Sequence, residues 1–189
     1  MRNDILAIVV VLGALIHMQC SSYSIPSLKT RYESRKKEIA TAKSYFTSLP
    51  KHAKTSIEFG WGKAEIFHVW GDGEPPRSHW DVDYDSNIFN EKLAQLGWTA
   101  EQFYNLEELV DDANCISVAD GSDAITFGLE RHGIGLYSVK IFDYSLNETQ
   151  KRIYNDSCTY LFYEDNVVFQ YGGGAIGAQC FPQINRNKQ

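Results

Sequence analysis

Thr159-Tyr160-Leu161-Phe162-Tyr163-Glu164-Asp165-Asn166-Val167-Val168-Phe169-Gln170-Tyr171 reads as two short apolar strands meeting at a tight turn, and the rest of the chain is organised around them. Asp165 and Asn166 tolerate positive φ better than most residues, so they serve as a two-residue loop. That loop predicts Glu164 opposite Val167, Phe162 opposite Phe169 and Tyr160 opposite Tyr171. Aromatic cross-strand pairs of this kind contribute roughly 0.2–1 kcal/mol each. Tyr160, Leu161, Phe162 and Tyr163 break strict alternation, a pattern that suits an interior strand covered on both faces. Cys158 and Cys180 bracket the hairpin together with a glycine-rich return, Gly172-Gly173-Gly174-Ala175-Ile176-Gly177. The return matches the letters of the dinucleotide fingerprint, but that motif needs a helix and a second parallel strand, about 30 residues in all. Only 12 residues follow Gly177 in the sequence. The expectation is a tight loop and no nucleotide.

Upstream of the hairpin, Cys115–Ala119, Ala124–Glu130 and Ile134–Asp143 are strand-like runs joined by turns at Asp120-Gly121 and His132-Gly133. They read as an antiparallel meander that the hairpin extends to a sheet of about five strands. Ser145 with Glu148 is expected to cap a short connector reaching Tyr154. Residues Asn87 to Ala113 read as two helices broken at Gly97. Thr99 with Gln102 forms a capping box at the second, with Trp98 and Phe103 as its hydrophobic staple. Ile57–Trp61 and Ala64–Trp70 look like two further strands around Gly60 and Gly62, and Gly71 to Ser78 is a loop. Leu28, Tyr32, Ile39, Ala42, Phe46 and Leu49 recur near helical spacing until Pro50 stops them. The predicted architecture is a single α+β domain over residues 27–185, after a linker at 21–26. An N-terminal helix and a central helix pair cover one face of a mainly antiparallel sheet of about five strands, ending in the C-terminal hairpin.

The chain has 189 residues and a formal net charge of −6; 43% of it is hydrophobic and 13% aromatic. That is enough for a folded core, and the acidic balance argues against a nucleic-acid binder, which needs a basic footprint. Arg31, Arg35, Lys36, Lys37 and Lys43 line the outer side of the first helix. Glu33 and Glu38 dilute them, so a solvated face is favoured over one that rests on anionic lipid.

Ile5 to Ile16 is an apolar run of twelve residues, too short to span a bilayer and of the length of a signal-peptide core. Cys20, Ser21 and Ser22 follow it. These residues resemble the leader of a bacterial lipoprotein precursor, with His17-Met18-Gln19 in place of the usual leucine and small residues. The resemblance covers residues 1–20. It implies a signal peptide there, acylation of Cys20 after cleavage, and attachment to a membrane through that lipid. Cleavage after Ser22, releasing a soluble secreted chain, is one alternative, and an uncleaved anchor is another. All three put the domain outside the cytoplasm, with a cell-envelope lipoprotein or a secreted protein favoured.

Three cysteines lie beyond Cys20, allowing three pairings. Cys158–Cys180 is favoured, because it would staple the glycine-rich return to the base of the hairpin; a loop of that size is worth on the order of 3 kcal/mol. Cys115, in the apolar run Cys115-Ile116-Ser117-Val118, is then a buried free thiol. A Cys115–Cys180 bridge is the other candidate.

The stretch His79-Trp80-Asp81-Val82-Asp83-Tyr84-Asp85 carries acids at alternate positions. It resembles the opening of an EF-hand calcium loop, with Asp81, Asp83 and Asp85 as ligands, Ile88 at the apolar eighth place and a helix after it. Ser86 replaces the turn glycine and Lys92 the bidentate glutamate, so acids placed near a helix N-terminus are the plainer explanation. No other cofactor is implied. His68 and His79 with Asp81 lack transition-metal spacing. For catalysis the candidates are Glu74, His79, Asp81 and Asp83; Cys115 is too deep in an apolar strand to be a nucleophile. Trp61, Trp70 and Trp80 lie near one proline-rich loop, where aromatic faces could form a platform for a glycan or a protein ligand.

The expected function is that of an extracytoplasmic module, envelope-attached or secreted, with a non-catalytic binding or structural role. An extracytoplasmic hydrolase, calcium-assisted through the His79–Asp85 loop, is a second reading. An exported inhibitor or immunity-type protein, which fits the size and acidity, is a third.

Overall fold

Ser24 opens the first helix: its hydroxyl accepts from the Ser27 backbone N–H at 3.3 Å, and Pro26 sits in the first turn, where a missing donor is harmless. The structure is a computed structural model that describes residues 24–71, 77–121, 123–172 and 177–181. Helix α1 (Ile25–Ser48) buries Leu28, Tyr32, Ile39, Ala42 and Phe46, the stripe its spacing predicts. Helix α2 (Asn87–Leu96) ends at Gly97 in the left-handed conformation, φ 74°. Helix α3 (Ala100–Asp112) opens on the Thr99–Gln102 capping box, with both reciprocal bonds made. Trp98, before that cap, packs edge-on to Phe46 and donates its indole N–H to the Pro50 carbonyl at 2.9 Å.

Among the described residues eight strands form one antiparallel sheet: β1 (Lys54–Gly60), β2 (Lys63–Trp70), β3 (Arg77–Asp83), β4 (Ser117–Asp120), β5 (Ala124–His132), β6 (Gly135–Phe142), β7 (Tyr160–Glu164) and β8 (Val167–Tyr171), in the spatial order β3-β2-β1-β4-β5-β6-β8-β7. Antiparallel pairing is as expected, but a sheet of about five strands is too small. The meander and the C-terminal hairpin supply five of these eight strands. Strand β1 joins them through β4, with Ile57 opposite Val118, and brings β2 and β3 with it. That pairing links segments some sixty residues apart and leaves no local trace.

Ile57, Phe67, Val118, Phe127, Val139 and Phe169 point to one face, where α1, α2 and α3 cover them in a single core. On the opposite face a smaller cluster, Ala124, Phe142, Leu146 and Val168, is closed by helix α4 (Glu148–Ile153) through Tyr154. The cap of α4 is Asn147 with Gln150, not Ser145 with Glu148. Leu146 is buried in that cluster, which draws the chain inward and delays the helix until Asn147 can accept its first amides.

The C-terminal hairpin turns at Asp165-Asn166 as read, with Asp165 at φ 35° and Glu164 opposite Val167. A bulge between Phe162 and Glu164 then moves the register by one: Phe162 faces Val168, Leu161 faces Phe169 and Tyr160 faces Gln170. The shift seats Leu161 and Phe169 on the core side together. Strand β8 is interior, but β7 is an edge; its second aromatic face is covered by α1, where the Tyr32 and Tyr163 rings meet at 6.0 Å. The basic side of α1 stitches the helix to the sheet, Arg31 to Glu130, Lys36 to Glu164 and Lys43 to Asp143.

Cys158 and Cys180 stand at disulfide distance, S–S 1.97 Å. Gly172 (φ 112°) bridges to Ala178, and a Cβ on it would come within 2.6 Å of the Gln179 nitrogen, so the return admits only glycine there. Phe181, fully buried, stacks on Tyr137 and packs on Tyr171 beneath the clasp. Among the described residues no helix is long and apolar enough to cross a membrane.

Candidate functional site

His79, Asp81 and Asp83 lie on strand β3, not in a loop, and they do not converge. His79 is opposite buried Phe67; Asp81 is exposed, takes a positive φ of 52° and is paired with Lys63; Asp83 is exposed opposite Lys63. His79 and Asp83 are four residues apart on a strand, roughly 13 Å. Asp85 is exposed in the turn before α2, whose cap is Ser86. Among the described residues no three His, Cys, Asp or Glu side chains are grouped to hold a metal ion. Glu74 and Cys20 lie outside the described residues.

The three tryptophans do not form one platform. Trp70 pairs with Lys54 at one end of the β1–β2 hairpin and Trp61 stands at the other, roughly 23 Å away along β2. Trp80, 58% exposed, faces Ile66 on the outer strand, edge-on to His68. The convergence expected from their shared nearness to the proline loop fails because β2 is fully extended between them. Cys115 is buried and unpaired, and burial pushes its thiol up to about 12, far from a nucleophile.

Trp61 has a different partner set. Gly60 pairs with Lys63, leaving Trp61-Gly62 as the hairpin tip, with Gly62 at φ 70°. Trp61 is 101% exposed. Below it opens a groove of about 480 Å³, walled on one side by Phe59 and Trp61 and on the other by Tyr104, Glu107, Glu108 and Asp111 of α3. The wall is held rigidly. The capping box fixes where α3 begins, and Phe103, Leu106 and Val110 anchor its inner face. Phe59 packs on Phe103 at 5.5 Å, and its backbone N–H donates to the Ile116 carbonyl at 2.9 Å, tying hairpin to helix. Tyr84 donates its hydroxyl to Glu107 at 2.6 Å. Burial raises the Glu107 carboxyl above its ordinary value, the Tyr84 bond pulls it back, and Asp111 adds a smaller upward push.

Helix α3 carries Glu101, Glu107, Glu108, Asp111 and Asp112 and no basic residue. Four of these acids sit in its last two turns, against the negative end of the helix dipole, where like charges are unfavourable. Glu107 with Asp111 and Glu108 with Asp112 are also like-charge neighbours one turn apart. Together these terms cost on the order of 1–2 kcal/mol. Among the described residues no ion pair offsets them. Tyr104 and these acids carry none of the motifs that mark a site in sequence; their one legible signal is a thirteen-residue helix with five acids and no base.

Compared with protein-family models, curated proteins and solved structures, the chain finds no match.

Proposed function

We propose that this chain is an exported, non-catalytic binding module whose working surface is the Trp61 hairpin tip and the groove beside it. The observation that carries the reading is the complete exposure of Trp61. Tryptophan is among the residues that dominate interface energetics, and held by a rigid two-residue turn it contributes nothing to this core. His79, Asp81 and Asp83, by contrast, are spread along an edge strand, and Asp81 is paired with Lys63.

The address is part of the same proposal. The leader-like run Ile5 to Ile16 and Cys20 support export, with a lipid on Cys20 holding the module at a membrane. A disulfide pair at Cys158 and Cys180 fits an oxidising compartment. Intact-mass measurement on membrane and soluble fractions tests it. The expected species lacks residues 1–19, carries an acyl group on Cys20 and has two thiols fewer than the reduced chain. A cytosolic chain that keeps its leader and every thiol reduced overturns the address.

A further inference from the structure

The groove beside Trp61 is a half-open cleft and not a sealed cavity, and its most prominent side chain, the Trp61 indole, projects into solvent. Small-molecule sites bury most of their ligand inside a cavity; a protruding aromatic over an open groove is the form of a macromolecular hot spot. Its charge is one-sided. Glu107, Glu108 and Asp111 line it, and no Lys, Arg or His is among the described residues that do. The helix bearing them keeps those acids at its unfavourable end with no ion pair among the described residues. An aromatic face next to carboxylates is complementary to a guanidinium or ammonium group, which gains from the ring quadrupole and from the ion pair together. A cation seated there would also offset the helix-end repulsion, so binding and the local strain of α3 are linked.

We infer that the groove receives an arginine- or lysine-bearing segment of a partner protein, its cationic head lying between the indole of Trp61 and the carboxylates of Glu108 and Asp111. The inference rests on the working surface proposed above and adds the chemistry of its ligand. Tyr104, 43% exposed on the same wall, offers a second ring for the aliphatic stem of that side chain.

The test is a nuclear magnetic resonance titration of the isotope-labelled protein, using the Trp61 indole N–H and the amides of residues 104–111 as reporters. The probes are N-acetyl tetra-arginine amide, a neutral Ala-Phe tetrapeptide, chitotetraose, spermidine and calcium. Tetra-arginine is expected to shift these reporters saturably, with a Kd below about 1 mM. Affinity should fall about tenfold in Trp61→Ala and in Glu108→Gln/Asp111→Asn, and stay unchanged in Glu91→Gln, which removes a charge elsewhere. An unchanged affinity in Trp61→Ala, or calcium or spermidine binding as tightly as the peptide, overturns the inference. If chitotetraose or the neutral peptide moves the indole and tetra-arginine does not, the ligand chemistry is wrong and the working surface stands. If no probe moves it, both fall.

Discussion

Arg131 on β5 grips Glu58 on β1 across the intervening strand β4, its Nε donating to one carboxylate oxygen and a terminal nitrogen to the other. The reach depends on the bulge between Gly128 and Glu130, which re-aims the end of β5. The Glu58 side chain is 8% exposed and that of Arg131 33%, so the carboxylate depends on its partner more than the guanidinium does.

Arg131→Ala should therefore destabilise the fold by about 2 kcal/mol, less than a fully buried pair would lose, because one partner is partly solvated. Arg131→Lys keeps the charge but loses the two-pronged geometry and should fall between. The double variant Glu58→Leu/Arg131→Leu should recover most of the loss. Urea unfolding of the four proteins checks the order; a double variant weaker than Arg131→Ala alone contradicts it.

The pH response contains two contributions of opposite sign. Burial, with the charges of Lys92 and His79, holds His68 below its ordinary 6.5, so the unfolded chain binds its proton more readily. Stability tied to His68 is present above 6.5 and is lost as pH falls. The Glu107 carboxyl is raised above 4.5, so the folded chain binds that proton more readily, and its contribution is lost as pH climbs past that value. His68→Asn should flatten the acid limb of a melting profile between pH 5 and 7, and Glu107→Gln should raise the melting temperature at pH 7 relative to pH 4. Unchanged profiles in both would remove these assignments.

Trp61 and Trp98 should part company under substitution. Trp98→Ala empties a buried site against Phe46 and strands the Pro50 carbonyl, at about 3–5 kcal/mol. Trp61→Ala touches no packing and should stay within about 0.5 kcal/mol of the wild type. Denaturant midpoints separate the two; a large loss in Trp61→Ala would mean the ring is structural.

Reducing Cys158–Cys180 should cost on the order of 3 kcal/mol in the chain-entropy account, while Cys115 stays unlabelled by iodoacetamide until the chain unfolds. Mass spectrometry after alkylation, with and without reductant and denaturant, reads both. Labelling of Cys115 in the native, oxidised protein would contradict its burial.

Most helix ends are legible in the amino-acid sequence. The Thr99–Gln102 box and the left-handed Gly97 are set by residues within one turn of each other, and both occur where the pattern put them. The acidic stretch is ambiguous in sequence because Asp81 and Asp83 at alternate positions are as compatible with a strand as with a loop. Only Ile66 and Phe67, cross-strand from Trp80 and His79, decide between them. The hairpin register slipped for a related reason. A bulge at Tyr163 follows from the ring it must place between Tyr32 and Phe169, and Tyr32 lies far upstream on α1.

The order of amino acids thus dictated the short-range devices: caps, turns, the buried helix stripe and the clasp between Cys158 and Cys180, all decided by steric and hydrogen-bonding preferences over a few residues or by one hairpin. The place of β1 beside β4, and with it the placing of Trp61, Glu108 and Asp111 around one groove, was decided only by folding. Those groups are more than forty positions apart, and what brings them together is the packing of Phe59 against the core that buries Phe103 and Val118, an energy to which no segment has access alone.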